Sequence, residues 1–171
     1  MLFRSGSDAS AAGSIPVFPH LGGGTNFQAP SYDPTRGWLY LAFTELGQRY
    51  FSSPETFEEG RQYWGGRGVR VDEADRAGIK AVNPETGKSI WEFPIYRGSS
   101  SNGVLATGGG VVFAATAEGN FIALDSAAGK LLWQFQTGSN MAASPMSYSV
   151  DGKQFVAVAA GSVIYSFALP D

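Results

Sequence analysis

Asn26 is the residue of this sequence whose type and position best suit ligand binding. It comes just after the glycine run at 22–24 and just before a predicted strand, where a strand end can present a side chain to a shared axis. Its amide can donate a hydrogen bond to a ligand oxygen and can also accept one. The glycines do not predict a phosphate loop, because the G-x-x-x-x-G-K-[ST] spacing and a following helix are both missing. An asparagine that caps a turn is the structural alternative.

Cysteine and histidine offer almost no candidate catalysts or metal ligands in this chain. The sequence has no cysteine, so a disulfide or a thiolate metal site is impossible. Its single histidine, His20, leaves no histidine-rich zinc site, and a Ser-His triad would have to use His20 itself. We interpret His20 as an ordinary loop residue.

Residues 46–77 form a long polar segment between two predicted strands, and we predict a loop insertion there. A loop of this length in a compact domain is usually functional or mobile. The side chains that could line a pocket mouth are Arg61, Tyr63, Trp64 and Arg67. The side chains that could hold a cation, without EF-hand spacing, are Glu55, Glu58 and Glu59. The alternative is a solvated excursion over one end of the domain.

Composition points to a folded, strand-rich domain. Hydrophobic residues make up 43% of the 171 residues, which is enough for a real core. The 23 glycines, nine prolines and 13% aromatic residues are typical of short strands joined by tight turns. A net charge of -3 without a basic run argues against nucleic acid as a partner, and no apolar run is long enough to span a bilayer. The N-terminal residues lack the apolar core of a signal peptide.

One phrase occurs twice, 42 residues apart, as AVNPETGKSIWEF and ALDSAAGKLLWQF. The residues shared by the two copies include Ala81, Gly87 and Trp91 in the first, and Ala123, Gly129 and Trp133 in the second. A period of roughly 40–50 residues is typical of a β-propeller, in which each blade is a four-stranded sheet. We interpret the phrase as architecture: the glycines permit positive φ in a hairpin turn, and the tryptophans pack between neighbouring blades.

The predicted fold is therefore all-β, a partial β-propeller of about three four-stranded blades. We predict a flexible lead-in over 1–25 and a first blade over 26–97 that carries the insertion. A second blade follows over 98–138, and a partial last blade over 139–171 contains the hairpin signal Asp-Gly at 151–152.

Several segments along the chain resemble the C-terminal portion of the PQQ-dependent quinoprotein alcohol dehydrogenases. Residues 81–91 and 123–133 resemble the tryptophan-docking repeat A-x-[DN]-x-x-x-G-K-x-x-W of that family. GGTNFQAPSYDP, 103–139 and 144–161 resemble further family segments, so the likeness covers about residues 20–168. The resemblance implies an eight-bladed propeller with pyrroloquinoline quinone (PQQ) on its axis. It also implies oxidation of an alcohol or related hydroxyl substrate.

The resemblance assigns cofactor contacts but no catalytic residue. Asn26 matches a family asparagine that hydrogen-bonds PQQ, and Phe27 stands where tryptophan is usual. A Trp-Gly-Gly that reaches the cofactor in some members is replaced here by Ser101-Asn102-Gly103, so Ser101 and Asn102 are further candidate contacts. The family's general-base aspartate and its ligands to a calcium or lanthanide ion lie upstream of the matching region. No catalytic or metal-ligating residue is therefore expected in this chain.

The resemblance further implies that the remaining propeller blades are partners of this chain and come from the parent protein or from a second chain. It also implies a cytochrome c as electron acceptor and the periplasm as location. We expect the chain alone to be inactive, and its open sheet edges to favour pairing with another chain. The alternative is a non-catalytic propeller that acts as a binding scaffold, like the lipoprotein propeller of outer-membrane barrel assembly. Asn26 after the glycine run favours the enzyme. A free-standing three-repeat domain without cofactor would explain the repeats but not the insertion.

Overall fold

The computed structural model of the chain describes residues 15–52, 56–95 and 102–170. These residues form eleven strands in three antiparallel sheets and no helix, which confirms the all-β prediction. The first sheet contains β1 (Ser31–Asp33), β2 (Trp38–Ser52), β3 (Gly66–Asn83) and β4 (Lys88–Ile95). The second contains β5 (Val104–Ala106), β6 (Val111–Ala115), β7 (Asn120–Asp125) and β8 (Leu131–Gln136). The third contains β9 (Met146–Val150), β10 (Lys153–Ala160) and β11 (Val163–Phe167).

Within each sheet, strands that follow one another in the chain are also neighbours in space. Short hairpins make every one of these connections except β2 to β3. No helix with the length and hydropathy needed to cross a membrane occurs in the described part of the chain.

The described chain divides into two compact units. The smaller unit consists of residues up to Gly24 together with Glu45–Asp75, and the larger unit of Thr25–Thr44 together with the residues from Arg76 onward. The divisions fall inside β2 and β3 because both strands are much longer than the others.

The segment 46–77 is not the loop that the sequence predicted. β2 continues to Ser52 and β3 begins at Gly66, so strand covers most of this segment. Two glycines of the segment lie close against the neighbouring strand: a Cβ on Gly68 would clash with the Gln48 amide, and one on Gly66 with the carbonyl of Phe51. Glycine in a strand often marks such a close approach of neighbouring chain segments.

Residues 15–24 differ from the flexible lead-in predicted over 1–25, while residues 1–14 lie outside the described residues. Val17 and Gln48 exchange two backbone hydrogen bonds of 3.0 and 3.1 Å. The amide of His20 donates to the carbonyl of Leu46 at 2.8 Å, and its ring Nδ1 accepts from the amide of Gly22 at 2.6 Å. This stretch is therefore attached to the smaller unit, with His20 in a turn.

Two clusters of buried apolar side chains join the three sheets face to face. The first, between the first and second sheets, includes Tyr40, Ile79, Val112, Ile122 and Leu124. The second, between the second and third sheets, includes Phe121, Met141, Val156 and Val158. Strand β7, an inner strand of the second sheet, contributes side chains to both clusters. Its sequence NFIALD therefore lacks the apolar–polar alternation of a strand with one wet face.

The repeated phrase forms the same hairpin in both copies. Ala81 pairs with Trp91 and Ala123 with Trp133, and each pairing register shifts at the next residue toward the turn. Gly87 and Gly129 close the two turns with φ of 69° and 68°. Residues other than glycine rarely adopt this left-handed conformation, so the repeated glycine is a requirement of the turn.

An Asp or Asn side chain fixes the start of each of these turns. The Oδ1 atoms of Asn83 and Asp125 accept hydrogen bonds from the backbone amides two and three residues later. Asp33 makes the same turn between β1 and β2, which ends at Gly37 with φ of 68°. The turn is thus a local property of the [DN]-x-x-x-G sequence.

Candidate functional site

The indole of Trp91, on the first sheet, lies against the hairpin turn of the second sheet. Its Nε1 donates to the carbonyl of Ser126 at 3.0 Å. A Cβ placed on Gly129 would lie 2.5 Å from Cδ2 and Cε3 of the indole. Gly129 therefore has two roles, since it supplies the positive φ of the turn and leaves room for the ring.

Tyr40 supports the same contact from within the core. Its hydroxyl donates to the carbonyl of Ser126 at 3.0 Å, and its ring centroid lies 5.7 Å from that of Trp91. Burial raises the pKa of the Tyr40 phenol above its usual 10.0, so the hydroxyl stays protonated and able to donate. The sequence did not identify this pair, because a backbone carbonyl as acceptor leaves no residue-type signal.

Trp133 occupies a different environment from Trp91. It contacts Phe121 and Phe167 edge-on, with ring centroids 6.1 and 5.2 Å apart, and it is 40% exposed. The described part of the third sheet has no turn equivalent to Asp125–Gly129 on which the indole could lie. The two copies of the phrase thus share a hairpin but not a tertiary partner.

The starts of the first strands of the three sheets lie close together. The amide of Val104 donates to the carbonyl of Ala29 at 3.0 Å, and the amide of Ala106 donates to the hydroxyl of Ser31 at 2.9 Å. β1 and β5 therefore run side by side in the same direction. Ser144, two residues before β9, packs against Gly103, where any Cβ would clash with its hydroxyl.

Three of the four predicted cofactor residues precede these strands, and Ser101 lies outside the described residues. Asn26 and Phe27 are exposed, Phe27 by 79%, whereas Asn102 is only 1% exposed. Asn102 Nδ2 donates to the carbonyl of Ala115 at 2.8 Å, but its Oδ1 has no hydrogen-bond partner among the described residues. Asn102 thus lies two residues before β5, and Asn26 lies five residues before β1, the strand beside β5.

A buried amide oxygen without a partner is unfavourable by about 1–3 kcal/mol unless a ligand or water donates to it. Asn102 Oδ1, which is enclosed, lacks such a donor among the described residues, whereas the exposed amide of Asn26 can donate to a ligand oxygen. Amide groups of this kind suit a polar ligand that offers both hydrogen-bond donors and acceptors.

The described residues do not form a metal site. They contain no group of three or more His, Asp or Glu side chains placed to hold an ion. Of the predicted cation ligands, Glu58 accepts instead from Arg61 at 2.7 Å, and Glu55 lies outside the described residues. The cation site proposed for Glu55, Glu58 and Glu59 is therefore not supported by the geometry.

Comparison with known proteins places the fold in a family. Residues 75–170, more than half of the chain, match the model of a PQQ-repeat family described as outer membrane protein assembly factor BamB. The quinoprotein alcohol dehydrogenase PedE of Pseudomonas putida is 34% identical over 163 residues, which cover 91% of this chain and 24% of that protein. The chain belongs to the PQQ-repeat propeller family and matches a segment of its quinoprotein alcohol dehydrogenases.

Solved structures of this family share the fold. A quinohemoprotein alcohol dehydrogenase from Pseudomonas putida HK5, ADHIIG, superimposes with a TM-score of 0.79 at 26% identity and covers 93% of this chain. A europium-containing methanol dehydrogenase gives a TM-score of 0.77 at 27% identity over 84% of the chain. The prediction of a partial β-propeller is confirmed. The chain spans about a quarter of the length of each of these proteins, at 25% and 26%.

Proposed function

We propose that this chain is the C-terminal propeller segment of a PQQ-dependent alcohol dehydrogenase. In this role it supplies part of the PQQ pocket for the oxidation of an alcohol or related hydroxyl substrate. The observation that carries the proposal is the Asn102 oxygen, buried and unpartnered among the described residues just before β5, beside the segment that follows Asn26. Similarity to quinoprotein alcohol dehydrogenases over 91% of the chain supports it.

The chain's own residues bind and orient the cofactor. The exposed amide of Asn26 donates to a ring or carboxylate oxygen, the Phe27 ring offers an apolar face beside it, and Asn102 Oδ1 accepts from a ring N–H. Ser101, outside the described residues, is a further proposed contact from the family resemblance. When bound, PQQ supplies the two-electron acceptor chemistry, with a calcium or lanthanide ion as Lewis acid. The ligands to that ion and the general base belong to segments outside this chain.

The tryptophan contacts set how the segment joins the rest of a ring. In this proposal Trp91 on Gly129 is one docking contact, and the buried residues Ala81 and Ala123 pair with Trp91 and Trp133 on the neighbouring strands. A Cβ on Gly87 would meet no atom of the described residues within 4 Å, so this turn is open to an aromatic side chain from another blade. Trp133 would contact the blade that follows, and the edge of β11 would pair with a further strand.

The chain is expected to have no dehydrogenase activity alone and to be active within a complete ring. The other blades come from the parent protein or a second chain. A cytochrome c accepts the electrons, and the periplasm is the location proposed from the relatives.

The test compares PQQ binding by the chain alone with binding by a ring completed with the upstream blades of a relative, both with Ca²⁺ present. Binding is followed by quinone absorbance after removal of free cofactor. We expect retention only by the complete ring, and at least tenfold weaker retention for Asn26→Ala. Asn120→Ala is the matched control, because the side-chain oxygen of Asn120 already accepts a hydrogen bond from Gln136 at 3.2 Å. A folded ring that does not retain PQQ, or equal loss in both variants, contradicts the proposal.

The second candidate function is a non-catalytic scaffold propeller. It is favoured by the family model, whose description is the assembly factor BamB. A scaffold does not need an exposed asparagine upstream of β1 or a buried, unpartnered amide oxygen just before β5. A complete ring that folds and binds no PQQ, and whose stability is unchanged by Asn26→Ala, would support the scaffold function.

A further inference from the structure

The smaller unit contains an open cleft of about 590 Å³ beside the end of the β2–β3 ribbon. Its lining includes Leu21, Gln48, Tyr50, Phe51, Trp64 and Arg67. The volume falls within the range of roughly 300–1,000 Å³ that is usual for small-molecule sites. The proposed cofactor site does not use any of these residues, so the cleft needs a separate explanation.

The walls of the cleft are held in place by the local structure. The Tyr50 hydroxyl accepts from the amide of Leu21 at 2.5 Å, which fixes one wall. Gly66 and Gly68 bring β3 so close to β2 that a side chain at either position would clash with Phe51 or Gln48. Because glycine has no side chain at these two positions, the space above β2 and β3 stays open.

The polar groups of the cleft favour an anion. Arg67 is the only charged residue in the described lining, which contains no Asp or Glu. Its guanidinium carbon lies 5.7 Å from the centroid of Phe51, and it forms no ion pair with any other described residue. Arginine held over an aromatic ring keeps its planar fork free for bidentate binding of a carboxylate.

The apolar groups favour a flat ring. Trp64 is 69% exposed and Leu21 76% exposed, which leaves broad apolar surfaces open to solvent at the cleft. Exposed indoles stack on aromatic ligands, and the side-chain amide of Gln48 can bind a carboxylate oxygen beside Arg67.

We propose that this cleft binds a small aromatic carboxylate, with its ring on Trp64 and its carboxylate on Arg67. Both the aromatic surface and the cation beside it are accounted for by one ligand of this class. The proposal is independent of PQQ, because none of the cleft residues belongs to the proposed quinone pocket.

Calorimetric titration of the full chain with benzoate tests the proposal, with benzamide and acetate as probes that lack the charge or the ring. We expect benzoate to bind at least tenfold more tightly than either probe. Arg67→Gln should weaken benzoate binding at least tenfold and Trp64→Ala at least fivefold. Arg61→Gln is the matched control, since Arg61 is also exposed but pairs with Glu58 outside the cleft, and it should change binding by less than twofold.

Three results would overturn the proposal. Equal binding of benzoate and benzamide would show that Arg67 does not select an anion. Equal loss in Arg67→Gln and Arg61→Gln would show a general effect of surface charge. Binding of an acidic peptide that depends on Arg67, without any binding of benzoate, would assign the cleft to a protein partner. Unchanged circular dichroism of the variants checks that each still folds, as expected for exposed side chains.

Discussion

Replacing Gly129 by alanine should destabilise the chain far more than the same replacement at Gly87. The two glycines end identical turns and have φ of 68° and 69°, so the backbone strain of an added Cβ is the same, about 1–2 kcal/mol. Only Gly129 lies under an indole, since no atom of the described residues would come within 4 Å of a Cβ at Gly87. The difference between the variants therefore isolates the contact with Trp91.

The extra loss at Gly129 follows from displacement of the ring. The new Cβ would lie 2.5 Å from two indole atoms, and such overpacking costs about 1–3 kcal/mol. Movement of the ring also weakens the 3.0 Å hydrogen bond to the Ser126 carbonyl, worth about 1 kcal/mol. We expect Gly129→Ala to be about 2–3 kcal/mol less stable than Gly87→Ala, or roughly 4–12 °C lower in melting temperature.

Urea denaturation, followed by tryptophan fluorescence and circular dichroism, measures both free energies of unfolding. A double-mutant cycle with Trp91→Ala completes the test, because removal of the indole should reduce the cost of Gly129→Ala to that of Gly87→Ala. Equal costs for the two glycine variants in the wild-type background would refute the docking contact. Strict additivity with Trp91→Ala would refute it as well.

Two further predictions concern pH. The Arg36 guanidinium, 2.9 Å from the Asp33 carboxylate, holds the pKa of Asp33 below its usual 3.8. This carboxylate therefore stabilises the fold above pH 3.8, and the effect is lost as pH falls through the lowered pKa. Asp33→Asn, which keeps the turn acceptor, should remove that part of the acid dependence in urea titrations between pH 5 and 2. Because burial raises the pKa of Tyr40, the free energy of unfolding should fall as pH rises above 10.0. Tyr40→Phe should flatten this fall, and at pH 7 it should cost about 1 kcal/mol through the lost hydrogen bond to Ser126. An unchanged alkaline slope in Tyr40→Phe would contradict the role of Tyr40 in this pH dependence.

The hairpins could be predicted from sequence because their determinants are local. The acceptor at the start of the turn, the glycine at its end and the alternating strand residues all lie within about a dozen positions, and they recur after 42 residues. The paired residues Ala81 with Trp91 and Ala123 with Trp133 match that expectation. The sequence predicts a strand directly after Asn26, whereas β1 begins only at Ser31, five residues later.

The features that sequence could not supply depend on distant or backbone partners. The outer part of β2 is mostly half-buried and that of β3 mostly exposed over residues 67–70, so neither shows the alternating buried face that would distinguish strand from loop. The carbonyl of Ser126 accepts from Tyr40, 86 residues away, and a backbone acceptor is the same in every residue type. The packing of Trp133 on Phe167 requires the third sheet to be in place. The unpartnered oxygen of Asn102 is likewise visible only once its surroundings are folded.

Strand β7 is covered by apolar side chains on both faces, and this position determines which part of the molecule unfolds last. Exposing its amides to solvent requires both neighbouring sheets to separate, so the free energy of opening there approaches that of global unfolding. Hydrogen exchange should accordingly be slowest in β7 and fastest in the single-paired strands β9 and β11 at the margins of the third sheet. The middle sheet would then be the last cooperative unit to unfold and a natural starting point for assembly of the rest.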